Sequence, residues 1–216
     1  MSERQRAKGA TTGAVVLAAG SSERMQGANK LLARLDGVPL VCRTVAAVRA
    51  ASLAPVVVVL GHDAGRVADA LAACDAARDV ELVVNAAHAR GQQGSVTAGL
   101  AAVSARADAV MIVPADMPLL AASDLRALLD AFGARRPECE ALVPFTDGAR
   151  GNPVVVAARA VEAVLAAPEG GMRRYIDAHP GRVQRFESHS DHYIVDADTR
   201  EALQQVARRM GMRLDW

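Results

Sequence analysis

Short apolar runs rich in Val, Ile and Ala alternate along the chain with longer stretches in which Ala and Leu recur among Arg, Asp and Glu at helical spacing. That alternation is the pattern of a parallel sheet covered by helices, an α/β fold. It predicts strands at 14–19, 55–60, 81–85, 108–113, 140–144 and 152–157. Helices are predicted at 39–52, 64–74, 95–105, 123–134, 159–166, 171–179 and 198–211, with a shorter strand pair at 182–187 and 192–196. Ser123 with Asp124, and Asp198 with Thr199, read as helix starts. No repeat, linker or extended low-complexity segment interrupts the pattern. Residues 1–12 therefore read as a disordered tail and 13–216 as one domain.

In open α/β sheets ligands bind at the carboxyl ends of the strands. Three polar loops fall there: 20–30, 91–95 and 114–118. The first follows the apolar run Ala14 to Ala19 with Gly20-Ser21-Ser22, then Arg24 and Lys30. Exposed backbone N–H groups in a small-residue turn beside two cations make an anion site, and a polyphosphate is the anion expected. Neither G-x-x-x-x-G-K-[ST] nor G-x-G-x-x-G occurs, so ATPase-type phosphate loops and dinucleotide oxidoreductases lose their usual signature.

Pro114-Ala115-Asp116-Met117-Pro118 places a carboxylate at the end of another apolar strand. Opposite a polyphosphate it suits Mg²⁺, which takes one or two carboxylates and fills its octahedron with phosphate oxygens and water. Asp196-Ala197-Asp198-Thr199 could supply a second metal ligand, Asp198 or alternatively Asp196, while another member of the run caps the last helix. Gly91-Gln92-Gln93-Gly94-Ser95 lets the backbone approach a flat ligand, with Gln93 and Ser95 as candidate contacts to base or sugar. Gly151-Asn152-Pro153 opens a strand either as an edge or as part of an acceptor pocket. The five histidines lack metal spacing, and His189 and His192 read as exposed turn residues.

The bulk numbers remove other classes. With 25 Lys and Arg against 24 Asp and Glu, the net charge of +1 excludes a nucleic-acid-coating surface. No apolar run approaches the roughly 18 to 20 residues a membrane span needs. Arg4, Arg6 and Lys8 precede a polar Gly/Thr segment, unlike a signal peptide. Cys42, Cys74 and Cys139, odd in number and without a C-x-x-C pair, read as reduced thiols of a cytoplasmic protein.

LAAGSSERM with the following Lys30, then PADMP, GNPV and VDADT, stand in the order and at the spacing of the nucleotidyltransferases that mature the molybdenum cofactor. The chain resembles that family from residue 14 to about 205. The resemblance implies a three-layer Rossmann-like nucleotidyltransferase fold, with a mostly parallel sheet and helices on both faces. It also implies Mg²⁺-dependent transfer of a nucleoside monophosphate, with pyrophosphate released. Leu17, Ala18, Ala19, Gly20 and Ser22 would follow the base and phosphates, Arg24 and Lys30 would hold the triphosphate, and Asp116 the metal. Guanylyl-transferring members usually read L-A-G-G where this chain has Leu17-Ala18-Ala19-Gly20, the form typical of CTP users, so CTP is the expected donor. The acceptor implied is a molybdopterin-type phosphate, with Asn152 and Arg173 as its contacts and a molybdenum hydroxylase as a recipient of the product.

Two departures stand out. Lys30 stands six positions after Arg24 where many relatives place the lysine five after the arginine, with Gln26 as the extra residue. Pro168-Glu169-Gly170-Gly171-Met172-Arg173 replaces the family's G-D-x-G-A-R. Competing readings are a GTP or sugar-phosphate nucleotidyltransferase, a non-catalytic carrier of the finished cofactor, and a regulatory mononucleotide binder.

Overall fold

The structure is a computed structural model that describes residues 11–25 and 27–216. The first ten residues of the expected tail, and Gln26, lie outside the described residues. Thr11 and Thr12, assigned to that tail, are tied to the fold, Thr12 as part of the sheet. The Thr11 N–H donates to Asp108 Oδ2 at 2.8 Å, and Thr12 opens the first strand.

In chain order the elements are β1 (Thr12–Ala18), β2 (Arg34–Leu35), β3 (Val38–Pro39), α1 (Leu40–Ala50), β4 (Val56–Leu60), α2 (Ala64–Ala72), β5 (Glu81–Val84), α3 (Gln92–Val103) and β6 (Ala109–Pro114). There follow α4 (Ala122–Gly133), β7 (Ala141–Thr146), β8 (Ala149–Arg150), β9 (Val154–Ala157), α5 (Ala158–Ala166), α6 (Gly171–Ala178), β10 (Val183–Ser188), α7 (Arg200–Met210) and β11 (Leu214–Asp215). The main sheet runs β10-β7-β9-β6-β1-β4-β5, with β8 paired to β7. It is mostly parallel; β9 is antiparallel to β6 and β7, and β8 to β7. β1 sits centrally, parallel to β6 on one side and β4 on the other.

Strand periodicity divides the side chains between two cores. Ala14, Val16 and Ala18 face α1, α2 and α4, together with Val45, Leu71 and Leu128. Val15, Val57 and Val59 face α3, α5 and α6, together with Leu100, Val161 and Ile176. Helices thus cover both faces, and the run Val56–Leu60 is buried throughout, as a central parallel strand requires. Gly99 sets the closeness of one layer. A Cβ there would lie 2.3 Å from Val15 Cγ1 and 2.8 Å from Val59 Cγ2. Gly99→Ala should therefore destabilise the fold by about 1–3 kcal/mol despite its higher helix propensity, read as a lowered midpoint in urea. An unchanged midpoint would show that α3 can lift off the sheet freely.

Three expectations are corrected. Residues 192–196 form no strand: Asp191–Tyr193 is a 3-10 turn, and Tyr193 turns inward. The Tyr193 ring meets Phe186 edge-on at 5.7 Å, and its hydroxyl donates to the Asp124 carbonyl at 3.1 Å. His192 is no free turn residue; its Nδ1 lies 2.9 Å from Asp124 Oδ2. The N-terminus of α4 is closed by Asp124, whose carboxylate accepts from the Ala121 N–H at 2.8 Å, rather than by Ser123. A second small sheet, β11-β2-β3, was not anticipated, since two-residue strands carry no readable period. With α7 it encloses a third core containing Met25, Leu35, Leu40 and Leu203.

Candidate active site

The loop after β1 is shaped by what it buries. Ser22 takes φ +52°, a left-handed turn, and a 3-10 turn over Glu23–Met25 follows. Met25 is fully buried in the third core, which pins the loop and leaves the Arg24 side chain 68% exposed. Asn29 then caps a second 3-10 turn, its Oδ1 accepting from the Leu31 N–H at 3.0 Å. Lys30 opens that turn with a side chain only 10% exposed, and its N–H donates to Ser22 Oγ at 3.3 Å.

A buried ammonium needs compensation. Lys30 Nζ donates to Asp116 Oδ2 at 2.6 Å and to Asp198 Oδ1 at 2.7 Å. Arg24 Nη2 donates to the other oxygen of Asp198 at 2.5 Å. Two cations and two carboxylates therefore close one network at the carboxyl ends of β1 and β6. Burial disfavours the Lys30 ammonium, but Asp116 and Asp198 outweigh it and raise its pKa above the ordinary lysine value. Burial likewise opposes ionisation of Asp198, yet Lys30 and Arg24 hold its carboxyl below the usual range. Asp196 moves upward, through partial burial and then the like charges of Asp198 and Asp116.

Backbone contacts bring the second acidic segment here. The Ala197 N–H donates to the Asp116 carbonyl at 2.9 Å, and Ala197 is fully buried. Thr199 Oγ1 accepts from the Ala202 N–H at 3.1 Å and so caps α7, which frees Asp198 to face the cleft. Of the two aspartates offered as second metal ligand, Asp198 lines the cleft beside Asp116 and Asp196 does not.

The cleft itself measures about 730 Å³. Leu17, Ala19, Gly20 and Ser22 line it with Arg24 and Lys30, as the sequence led us to expect, but Ala18 is turned into the core. Helix α3 begins at Gln92, so the expected loop is its first turn. There Gln92 lines the cleft, whereas Gln93 packs toward Gly171, 3.1 Å from where a Cβ would stand. Ser95 does line the cleft, buried, with its Oγ accepting from Asn85 Nδ2 at 2.9 Å. His62 and His88, which the sequence did not single out, complete the far wall with ring centroids 6.3 Å apart. No spacing signal joins them; they meet because β4 and β5 are neighbours. Asn152 and Arg173 lie apart from this cleft, in an adjoining cavity of about 230 Å³ that shares Leu17, Gln92 and Pro114 with it.

Among the described residues no three His, Cys, Asp or Glu side chains cluster as a metal cage. Asp116 and Asp198 nonetheless converge on one point, now held by the Lys30 ammonium. Two carboxylates in a polar cleft are the donor set a hard divalent cation takes when substrate phosphates supply further oxygens.

Comparisons with known proteins bear on the fold and the family. Over 183 residues the chain is 31% identical to the bifunctional protein GlmU of Leifsonia xyli subsp. xyli, covering 82% of this chain and 32% of that one. It spans about a third of the length of the curated relatives it matches. A nucleotidyl transferase from Methanothermobacter has the same fold, with a TM-score of 0.75 at 23% identity over 92% of this chain and 97% of the other. A cytidylyltransferase from Leptospira borgpetersenii superposes with a TM-score of 0.73 at 14% identity, over 94% and 87%. The sequence profile of the MobA-like NTP transferase domain matches residues 14–183. With most of its length matched, the chain belongs to the MobA-like NTP transferase family.

Proposed function

We propose that this protein transfers CMP from CTP to the phosphate of a molybdopterin-type cofactor, releasing pyrophosphate. The observation that carries the transfer is the Lys30 ammonium shared by Asp116 and Asp198, with Arg24 beside it at the cleft mouth. Leu17-Ala18-Ala19-Gly20 and the GNPV and VDADT segments support the choice of CTP and of a molybdopterin acceptor.

The attacking group is a phosphate oxygen that is already anionic near neutrality, so no general base is required. The barrier is the approach of two polyanions. At ~4 Å two unit charges repel by about 1 kcal/mol in water and about 4 kcal/mol at an effective dielectric of ~20. Arg24 and Lys30 offset that repulsion by turning from the aspartates onto phosphate oxygens, and they stabilise charge on the departing pyrophosphate. The wall from Leu17 to Ser22 fixes the donor, and Gln92, Ser95, His62 and His88 bound the space for base and sugar. Mg²⁺ held by Asp116 and Asp198, when bound, supplies further neutralisation of the triphosphate.

On this reading residues 13–216 act as one catalytic domain in the cytoplasm and hand the product to a molybdenum hydroxylase. Among the described residues no helix is long and apolar enough to cross a membrane. The test is pyrophosphate release with CTP, Mg²⁺ and molybdenum cofactor. CTP should be consumed at least about tenfold faster than GTP, the scale that one hydrogen-bonded base contact supplies. Preference for GTP would overturn the donor assignment. Turnover with a sugar phosphate but not the cofactor would overturn the acceptor. Tight CTP binding without turnover would make the protein a carrier or regulator.

A further inference from the structure

The cavity of about 230 Å³ beside the cleft has two distinct sides. Val96, Ile112, Val154, Met172 and Ile176 form an apolar wall, while Arg150 and Arg173 stand at its polar edge. Among the described residues that line it there is no carboxylate. A small apolar cavity edged by two guanidinium groups and open to a phosphate-handling cleft suits a ligand with a ring-like body and an anionic group.

Arg150 is placed there by its own local sequence. Asp147 and Gly148 take φ +49° and +81°, the left-handed conformations of a tight hairpin turn. This fixes β8 against β7 with Phe145 opposite Arg150. From that position Arg150 Nη1 donates to Asp177 Oδ1 at 2.6 Å, across to α6. Arg173 Nε lies 4.0 Å from the other oxygen of Asp177. One carboxylate is thus shared by two guanidinium groups, leaving the three a net positive charge. The Arg150 side chain is 29% exposed against 85% for Arg173, so Arg150 is the held member. A guanidinium braced by a carboxylate keeps its remaining N–H donors oriented, which makes it a recognition element instead of a loose surface charge.

We propose that Arg150, aimed by Asp177, recognises an anionic group of the acceptor and sets acceptor specificity for a phosphate ester whose body is a flat ring. This rests on the reading of the main cleft as the CTP site. Arg150 discriminates among acceptors and leaves the grip on the nucleotide unaltered, since it does not line the nucleotide cleft. Asp177 is a positioning residue.

The test is calorimetric titration of the full chain, saturated with a non-hydrolysable CTP analogue and Mg²⁺. The titrants are a pterin phosphate monoester, glucosamine 1-phosphate and inorganic phosphate. The pterin phosphate should bind most tightly. Arg150→Ala should weaken it by about tenfold or more, the scale of one charge-assisted hydrogen bond, with the affinity for the CTP analogue unchanged. Arg150→Lys should recover part of that loss. Asp177→Asn should weaken binding severalfold although it removes a negative charge; tighter binding would show that Asp177 competes with the ligand and does not aim Arg150. Equal affinities in wild type and Arg150→Ala, with the analogue still bound, sink this inference and leave the transferase reading intact. Tighter binding of glucosamine 1-phosphate overturns the flat-bodied class. Failure of all three titrants in wild type overturns the pocket. A wild type that does not bind the CTP analogue removes the premise itself.

Discussion

Asp116→Ala should lower turnover by about a thousandfold while changing CTP affinity by less than about fivefold. The asymmetry follows from the site's division of labour. On the proposed reading Leu17, Gly20, Ser22, Arg24 and Lys30 would hold the triphosphate and survive the substitution, whereas Asp116 would act mainly on the charge that develops as the phosphate bond breaks. The variant also releases one of two acceptors on Lys30, leaving the ammonium on Asp198 alone. Its folding should be little impaired, because the Ala115 and Ala197 backbone contacts that shape this loop do not use the Asp116 side chain. Steady-state pyrophosphate release and equilibrium CTP binding together check it. Turnover within tenfold of wild type would remove Asp116 from the chemistry.

Lys30→Met has the second large expected effect, and it carries a pH signature. Turnover should fall roughly 10²- to 10³-fold through loss of a preorganised charge on the phosphates. In the ligand-free protein Asp116 and Asp198 would then lose the ammonium between them, so the variant should be less stable than wild type at neutral pH. The acid limb should change in the opposite sense. Because Asp198 titrates below its unfolded value, its contribution is present above that value and fades as pH falls through the folded pKa. Lys30 is a principal cause of the depression, so its removal shrinks the part of stability that acid can remove. Thermal midpoints measured from neutral pH down to about pH 3 should converge for the two proteins. A constant gap over that range would show that the Lys30 network contributes nothing to the pH dependence. The raised pKa of Lys30 itself bears only on the alkaline limb, where its contribution is lost as pH rises through the folded value.

How much of this was legible in the sequence depended on the range over which each signal acts. Buried parallel strands such as Val56–Leu60 and Ala109–Pro114 advertise themselves as unbroken apolar runs, and the covering helices by their spacing. The run Tyr193-Ile194-Val195 carried the same local signal and formed no strand. Asp191–Tyr193 instead forms a 3-10 turn capped by Ser190, which carries Tyr193 into the core against Phe186. In the first turn of α3, consecutive residues diverge around the helix, so a polar string could not reveal that Gln92 faces the cleft and Gln93 faces Gly171.

The candidate catalytic groups, Arg24, Lys30 and Asp116, could be named from the sequence because each sits in a distinctive local setting, a strand end followed by a small or rigid turn. The sequence alone likewise determined the alternation that builds the sheet and the absence of a strong net charge. What it left open were relations between distant segments. Lys30 meets carboxylates 86 and 168 residues away, and only the pairing of β1 with β6 and the Ala197–Asp116 backbone bond brings them within hydrogen-bond reach. That Asp198 and not Asp196 lines the cleft is set by the tertiary fold, as is the placing of His62 beside His88 by the order of β4 and β5. Local sequence sets what a residue can do chemically; sheet order and packing decide which groups stand near enough to do it together.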